Sequence, residues 1–278
     1  MSKRLADVFV RCKAENRAAL VGYLTAGDPD VTSSRELLLA LADNCDILEI
    51  GMPFSDPMAD GPVIQAASER ALAAGAHIDD VFALTRAVRD AHPEIGIVLM
   101  GYANVPYAMG FETFAEKASS AGADAVLIVD IPPEEGHICD AALKKHNLDR
   151  ILLLSPTSPD DRIKLACENG SGFIYYVSLT GITGADMGNM ESIRSKVAHI
   201  QALSARASNH MPVCVGFGVK TPEQAMQVAQ FADGVVVGSH FVSRIAENSD
   251  HDSMRSAMLT AANHMRQALN SGVSGDNI

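Results

Sequence analysis

Apolar positions in this chain come in blocks, not in strict alternation. Eight short runs recur, at residues 20–25, 46–51, 95–100, 125–130, 151–155, 173–178, 212–217 and 234–239. They are near-continuous stretches of Val, Ile and Leu, the pattern of parallel strands buried on both faces. Turn chemistry follows each run, and a helical pattern follows the turn. Thr221-Pro222-Glu223-Gln224 reads as a capping box with Pro at the first helical position. Ser33-Ser34-Arg35-Glu36 reads as another ahead of residues 37–42, and Ser158-Pro159-Asp160-Asp161 opens a segment ending near Glu168. The gap from Gly51 to Ile95 is too long for one crossover, so Ile78–Ala91 is predicted as an extra helix. Residues 5–19 predict a helix before the first strand, and residues 253–269 a final one.

Eight βα units without a composition break predict an α/β protein: a closed (β/α)8 TIM barrel with an N-terminal helix and extra helices, one domain over residues 1–278. An open doubly wound sheet is the alternative. The first βα turn, Ala26-Gly27-Asp28-Pro29, lacks the GxGxxG of a dinucleotide fold and counts against it. The loops 53–61 and 179–189 are the expected mobile pieces, the second through Gly181, Gly184 and Gly188.

Composition narrows the function. Apolar residues make up 47% of the chain, but aromatics only 5%, and Trp is absent, so the core must be built from Ala, Leu, Val and Ile. A net charge of −12 with no Lys/Arg cluster argues against nucleic acid. A small phosphate can still be held by main-chain N–H groups and helix N-termini. The five cysteines are scattered without a CxxC, as in a reducing compartment. Residues 1–19 are amphipathic with no apolar signal core, and no apolar run approaches the roughly 20 residues that cross a bilayer. A soluble cytoplasmic protein without a membrane partner is expected.

The candidate chemistry begins with Glu49, a carboxyl inside an apolar run at a strand's C-terminal end, where barrel enzymes carry their active sites. Ile47, Glu49 and Gly51 share one strand face. If that face is the interior, Glu49 lies near the top of the core; the plainer alternative is a strand-end Glu reaching solvent or an Arg. Asp60 follows on the next loop, either facing the same pocket or capping a helix that starts near Pro62. Asp56 has a plain use as a turn former. Val215-Gly216-Phe217-Gly218-Val219 and Val237-Gly238-Ser239-His240 end the seventh and eighth runs. Paired glycine loops there are the usual phosphate grip of this fold, and Thr183-Gly184 on the sixth loop can close over the same anion. The simpler alternative is tight βα turns. The nine His residues form no HxH or HExxH, and no GxSxG is present, so metal and serine-nucleophile chemistry lack a motif. His240 alone falls near the expected active face, where a surface or capping role suffices.

The chain resembles the tryptophan synthase α-subunit family over nearly its whole length. The resemblance rests on Gly22-Tyr23-Leu24-Thr25-Ala26-Gly27-Asp28-Pro29, on Tyr102-Ala103-Asn104, Asp130-Ile131-Pro132, Thr183-Gly184 and Gly216-Phe217-Gly218. Its most specific part is Leu48-Glu49-Ile50-Gly51-Met52-Pro53-Phe54-Ser55-Asp56-Pro57-Met58-Ala59-Asp60-Gly61-Pro62. It implies cleavage of indole-3-glycerol phosphate to indole and glyceraldehyde 3-phosphate. Glu49 would be the general acid/base and Asp60 the carboxylate holding the ring N–H. Tyr23, Tyr102, Leu127 and Phe217 would line the indole slot and Tyr175 the catalytic pocket. Gly184, Gly218, Gly238 and Ser239 would bind phosphate, with Thr183 as a lid residue. Asp56 would meet a β subunit in an αββα complex, and pyridoxal phosphate would belong to that partner, leaving this chain without a cofactor. Met52, Met58 and Tyr23 depart from the family's commoner residues and remove no chemical group. Two other readings remain: a different phosphate-binding barrel such as a sugar-phosphate isomerase, and a non-catalytic activator of a β subunit. The intact carboxyl pair disfavours the activator.

Overall fold

Each predicted run becomes a parallel strand, because the βα crossovers cover both faces of the sheet with helices. The computed structural model describes residues 1–177, 187–207, 209–216, 218–248 and 250–271. Among these the strands are β1 (Ala19–Thr25), β2 (Ile47–Gly51), β3 (Gly96–Gly101), β4 (Ala125–Ile128), β5 (Asp149–Arg150), β6 (Leu152–Leu154), β7 (Ile174–Val177), β8 (Val213–Gly216) and β9 (Gly234–Val237). They form one sheet in the order β5-β4-β3-β2-β1-β9-β8-β7-β6, with every pairing parallel. The predicted fifth run starts two residues early and is divided at Ile151. β5 pairs with β4, and β6 pairs with β7. The Ile151 N–H donates to the Val126 carbonyl (3.0 Å), so one chain segment joins the two sheet ends and the barrel closes.

Two apolar layers result. Val21, Ile47, Val98, Ala125, Leu127, Ile151, Phe173, Tyr175, Cys214 and Val236 fill the inside. Leu37, Leu38, Leu41, Leu48, Ile50, Phe114 and Phe241 belong to the larger layer between strands and helices. The N-terminal helix Lys3–Ala14 buries Leu5, Val8 and Cys12 in the inner cluster. Each such aliphatic side chain contributes about 1.5–3 kcal/mol when taken from water.

The helices follow the predicted pattern with corrections. Ile78–Ala91 forms as predicted, and Pro222–Ala229 begins with the Thr221/Gln224 capping box. The final helix is His251–Ser271. The first helix stops at Ala14, because Arg17 turns inward to an ion pair and Ala19 already belongs to β1. Ser33 is not the N-cap of its helix. Asp30 is, accepting from the Ser33 N–H (2.9 Å) and hydroxyl (2.7 Å), so Val31–Ala42 starts a turn early. An ionised carboxylate at a helix N-terminus is favoured by the dipole as well as by the hydrogen bonds. Among the described residues no helix is long and apolar enough to cross a membrane.

The strand starts share one device. Asp46, Asp124 and Asp233 each donate a main-chain N–H to a neighbouring strand and accept that same residue's N–H on the side chain. The partners are Leu20, Ile97 and Val213, at 2.8–2.9 Å throughout. Such a two-point pin sets the stagger between strands, and in a barrel the stagger fixes tilt and radius. Asp46 also accepts from Arg17 at 2.7 and 2.9 Å, from Arg11 at 3.3 Å and from Arg266 at 2.8 Å. Burial alone would raise its pKa. The Arg17 hydrogen bonds, the Arg266 charge and the Leu20 N–H outweigh that and hold it at about 2. Asp46→Asn is expected to cost roughly 3–5 kcal/mol, because three arginines lose their buried counter-charge. Asp46 titrates below its unfolded value, so its contribution is complete above about pH 4 and fades toward pH 2. Denaturant titrations at pH 7 and pH 3 should give a difference between wild type and Asp46→Asn that shrinks at the lower pH.

Candidate active site

Glu49 is the third residue of β2 and its one charged side chain: its strand neighbours are Tyr23 on β1 and Val98 on β3, and Ile47 on the same face lies in the inner layer. The carboxyl therefore points into the barrel, near its C-terminal mouth. It is 1% exposed, and among the described residues neither Oε1 nor Oε2 has a hydrogen-bond partner. The alternative of a Glu reaching solvent or an arginine is thereby excluded. Burial, with the negative charge of Asp60 second, raises its pKa to about 8. Glu49 is thus a neutral acid at pH 7, poised to give up its proton near physiological pH.

Asp60 comes from the loop that follows. The helix Pro62–Ala73 has Gly61 at its N-cap and no side-chain cap, so Asp60 is not used for capping. Its Oδ2 accepts from the Tyr102 hydroxyl at 2.9 Å, and that hydroxyl accepts from the Ala59 N–H at 3.0 Å. Burial pushes the Asp60 pKa up, and the Tyr102 hydroxyl pulls against it. Gln65 ties the loop from below, donating to the Asp60 carbonyl at 2.9 Å. The Phe54 ring lies against Tyr102 with centroids 5.4 Å apart. Asp56, accepting from the Ser55 hydroxyl (2.6 Å), and Met58, 78% exposed, stand on the outer side of the loop.

The aromatic positions converge on the same place. Tyr23 and Tyr175 are buried, and each lies across a glycine at the end of an adjacent strand. A Cβ on Gly51 would sit 2.2 Å from the Tyr23 hydroxyl, and one on Gly216 would sit 2.6 Å from the Tyr175 hydroxyl. Both glycines are there because a side chain would collide with a ring. Neither clearance was legible from the sequence, although a glycine at a strand's end was its signal. The Tyr23 hydroxyl also meets Thr25 Oγ1 at 3.2 Å, a contact without any sequence signal. Burial raises the pKa of both phenols; the charge of Asp60 adds to it at Tyr23 and that of Glu49 at Tyr175. Leu127 lies in the inner layer below them.

On the other side of the mouth, β8 and β9 end together, with Gly216 opposite Val236. Gly218 is exposed with φ +61°, and Gly238 is the N-cap of the helix Ser239–Ala246, beside the Tyr23 ring. Gly218, Gly238 and Ser239 therefore present main chain and a hydroxyl on one rim. Thr183, Gly184 and Phe217, like most of the 179–189 loop, lie outside the described residues. His240 is half-buried in the Ser239–Ala246 helix and lines a groove of about 760 Å³ with Arg244, Thr260 and His264; burial and then Arg244 lower its pKa. Among the described residues no group of three or more His, Cys, Asp or Glu is placed to hold a metal.

The arrangement can protonate a buried ligand atom through Glu49 while Asp60 steadies positive charge. It also has a cost in stability. The folded chain keeps the Glu49 proton up to about pH 8, whereas the unfolded chain releases it near pH 4.5. Stability therefore falls as pH rises through that window, by roughly 2–5 kcal/mol. Glu49→Gln removes this term. Its melting temperature should exceed that of wild type by about 5 °C at pH 8.5 and match it at pH 4, as measured by calorimetry.

Comparison with known proteins points one way. The family profile described as tryptophan synthase alpha chain matches residues 9–270. The tryptophan synthase alpha chain of Marinobacter nauticus is 44% identical over 270 residues, covering 96% of this chain and 98% of its own. That of Zymomonas mobilis is 47% identical over 243 residues, 87% of each chain. Among solved structures, tryptophan synthase subunit alpha from Legionella pneumophila superposes with a TM-score of 0.87 at 38% identity, covering 98% of this chain and 99% of that one. With a closed barrel and a carboxyl pair at its mouth, the chain belongs to the tryptophan synthase alpha chain family.

Proposed function

We infer that the chain acts as the α subunit of tryptophan synthase, cleaving indole-3-glycerol phosphate to indole and glyceraldehyde 3-phosphate. Indole then passes to a β subunit within an αββα complex. Family membership supports the activity. The observation that carries the mechanism is Glu49, buried, with both oxygens unpartnered and Asp60 as its charged neighbour. A buried carboxyl without hydrogen bonds is costly, and such sites gather where a ligand completes them.

Breaking a C–C bond to an aromatic ring carbon requires that carbon to be protonated first, so that the ring can take back the bonding electrons. The neutral Glu49 carboxyl gives its proton to C3 of the indole. Asp60 accepts the ring N–H and stabilises the iminium cation. The hydroxyl on the neighbouring glycerol carbon then loses its proton, the C–C bond electrons return to the ring, and an aldehyde forms. The hydroxyl proton restores Glu49, so nothing is oxidised and no cofactor is called for. Tyr23, Tyr102, Leu127, Tyr175 and Phe217 form the apolar slot for the ring. Gly184, Gly218, Gly238 and Ser239 hold the phosphate through main-chain N–H groups and a hydroxyl, and Thr183 closes over it. Asp56 meets the β subunit, whose pyridoxal phosphate is the complex's cofactor. The exposed loop carrying Asp56 and Met58, beside an apolar hollow of about 430 Å³ that includes Met52, Pro53 and Val105, suits that contact. We further read residues 1–278 as one domain and the cytoplasm as its location.

Indole release, followed spectroscopically with and without a β subunit, tests this reading. Glu49→Gln and Asp60→Asn should each lower kcat by about 10²-fold or more while the circular dichroism spectrum stays that of wild type. Turnover within a few-fold of wild type in either variant overturns the assignment of that residue.

A further inference from the structure

Tyr102 lines the ring slot, yet among the described residues its hydroxyl is also the one side-chain group hydrogen-bonded to the Asp60 carboxylate. It follows directly on β3, is 2% exposed, and is backed by Phe54. A phenol has one hydrogen to give. The Ala59 N–H points at the Tyr102 oxygen, so that oxygen is already an acceptor and its own hydrogen is free for Asp60 Oδ2. Such a bond is stronger when the acceptor is a carboxylate than when it is a neutral acid. Glu49, by contrast, has no hydrogen bond to favour its ionised form.

We propose that Tyr102 is the positioning residue that decides which carboxyl carries the proton: its hydroxyl holds Asp60 ionised and, through Ala59, in place, and so leaves the proton on Glu49. The proposal rests on the reading of Glu49 and Asp60 given above and goes beyond it by naming what, besides the deeper burial of Glu49, makes the two acids unequal. The charged and titratable groups around the pair come from several elements. Glu49 faces it from β2, Tyr23 from β1, Tyr175 from β7 and Cys214 from β8, and Asp130 after β4 acts on Tyr102. These are carboxyls, phenols and a thiol, none of them a cation, and two like charges cannot both form cheaply in such a place. The Tyr102 hydroxyl works against burial at Asp60, and the resulting charge on Asp60 helps keep Glu49 protonated. Without the hydroxyl the two carboxyls draw closer in proton affinity and titrate as a coupled pair.

The test is Tyr102→Phe in the full α–β complex, with kcat and KM for indole formation measured from pH 5 to pH 9. The carboxyl carbons of Asp60 and Glu49 are titrated in parallel by ¹³C NMR. Expected are a KM within about threefold of wild type, a kcat lower by about tenfold or more at pH 7.5, and an Asp60 carboxyl that titrates at higher pH. The acid limb of kcat should move in the same direction. Replacing Tyr102 by 3-fluorotyrosine, a stronger donor, should move the Asp60 titration the opposite way. An unmoved Asp60 titration in both proteins, or a KM rise with an unchanged pH profile, overturns the proposal. If Asp60→Asn and Glu49→Gln are inactive while Tyr102→Phe shows no shift, this inference alone fails; if they remain active, the reading of the pair fails first.

Discussion

A carboxyl group with no hydrogen-bond partner among the described residues sits inside the mouth of the barrel, and the arrangement around it follows from that constraint. Glu49 could not remain ionised there, since an uncompensated charge in a low-dielectric site is far more costly than a neutral acid. The fold keeps it neutral by surrounding it with acids and phenols, where an arginine would have quenched it. The abundant arginines stand elsewhere: Arg17, Arg11 and Arg266 on Asp46, and Arg4 and Arg89 on Asp124. The same interaction, carboxylate with guanidinium, crowds the starts of the strands; at their other end Arg70 makes it with Asp28 after β1, and among the described residues no arginine reaches Glu49.

Shape at the mouth is set by exclusion as much as by contact. Tyr23 and Tyr175 are flat rings seated over strand backbone, and they can lie there only because Gly51 and Gly216 carry no side chain. The strands thus end in smooth patches on which an aromatic ligand can stack, while Glu49 alone of the carboxyl pair stands on a strand and the other carboxyl comes from a loop. Asp60 belongs to this second class. Its position depends on Tyr102, Ala59 and Gln65, none of which is on β2, so the carboxyl pair is half rigid strand and half tethered loop.

Much of this was legible in the sequence, and the limits have physical causes. Continuous apolar runs marked all eight barrel staves, because parallel strands covered on both faces leave no alternation to misread. The fifth was the least well placed. Asp149 and Arg150 are charged and yet buried, held by ion pairs to distant residues that a local pattern cannot anticipate. Ser33 misled for a related reason: two capping patterns overlap at residues 30–36, and the side chain that reaches the free N–H groups is Asp30. Glu49 stood out because a charge in an apolar run has few explanations, whereas Asp60 had an ordinary use as a cap that only coordinates could remove. The partners of Asp60 were the least legible of all, since Tyr102 lies 42 residues away and nothing in the spacing joins them.

The pins formed by Asp46, Asp124 and Asp233 have a mechanical consequence. A ring of strands fastened at its foot by side chain and main chain together behaves as a stiff-based cup, in which small rotations of each stave are amplified with height. The three pins fix stagger at the foot, beside the arginine clusters on Asp46 and Asp124, and leave the lip to be shaped by loops. Definition of geometry and access to the mouth are thereby assigned to opposite ends of the barrel axis.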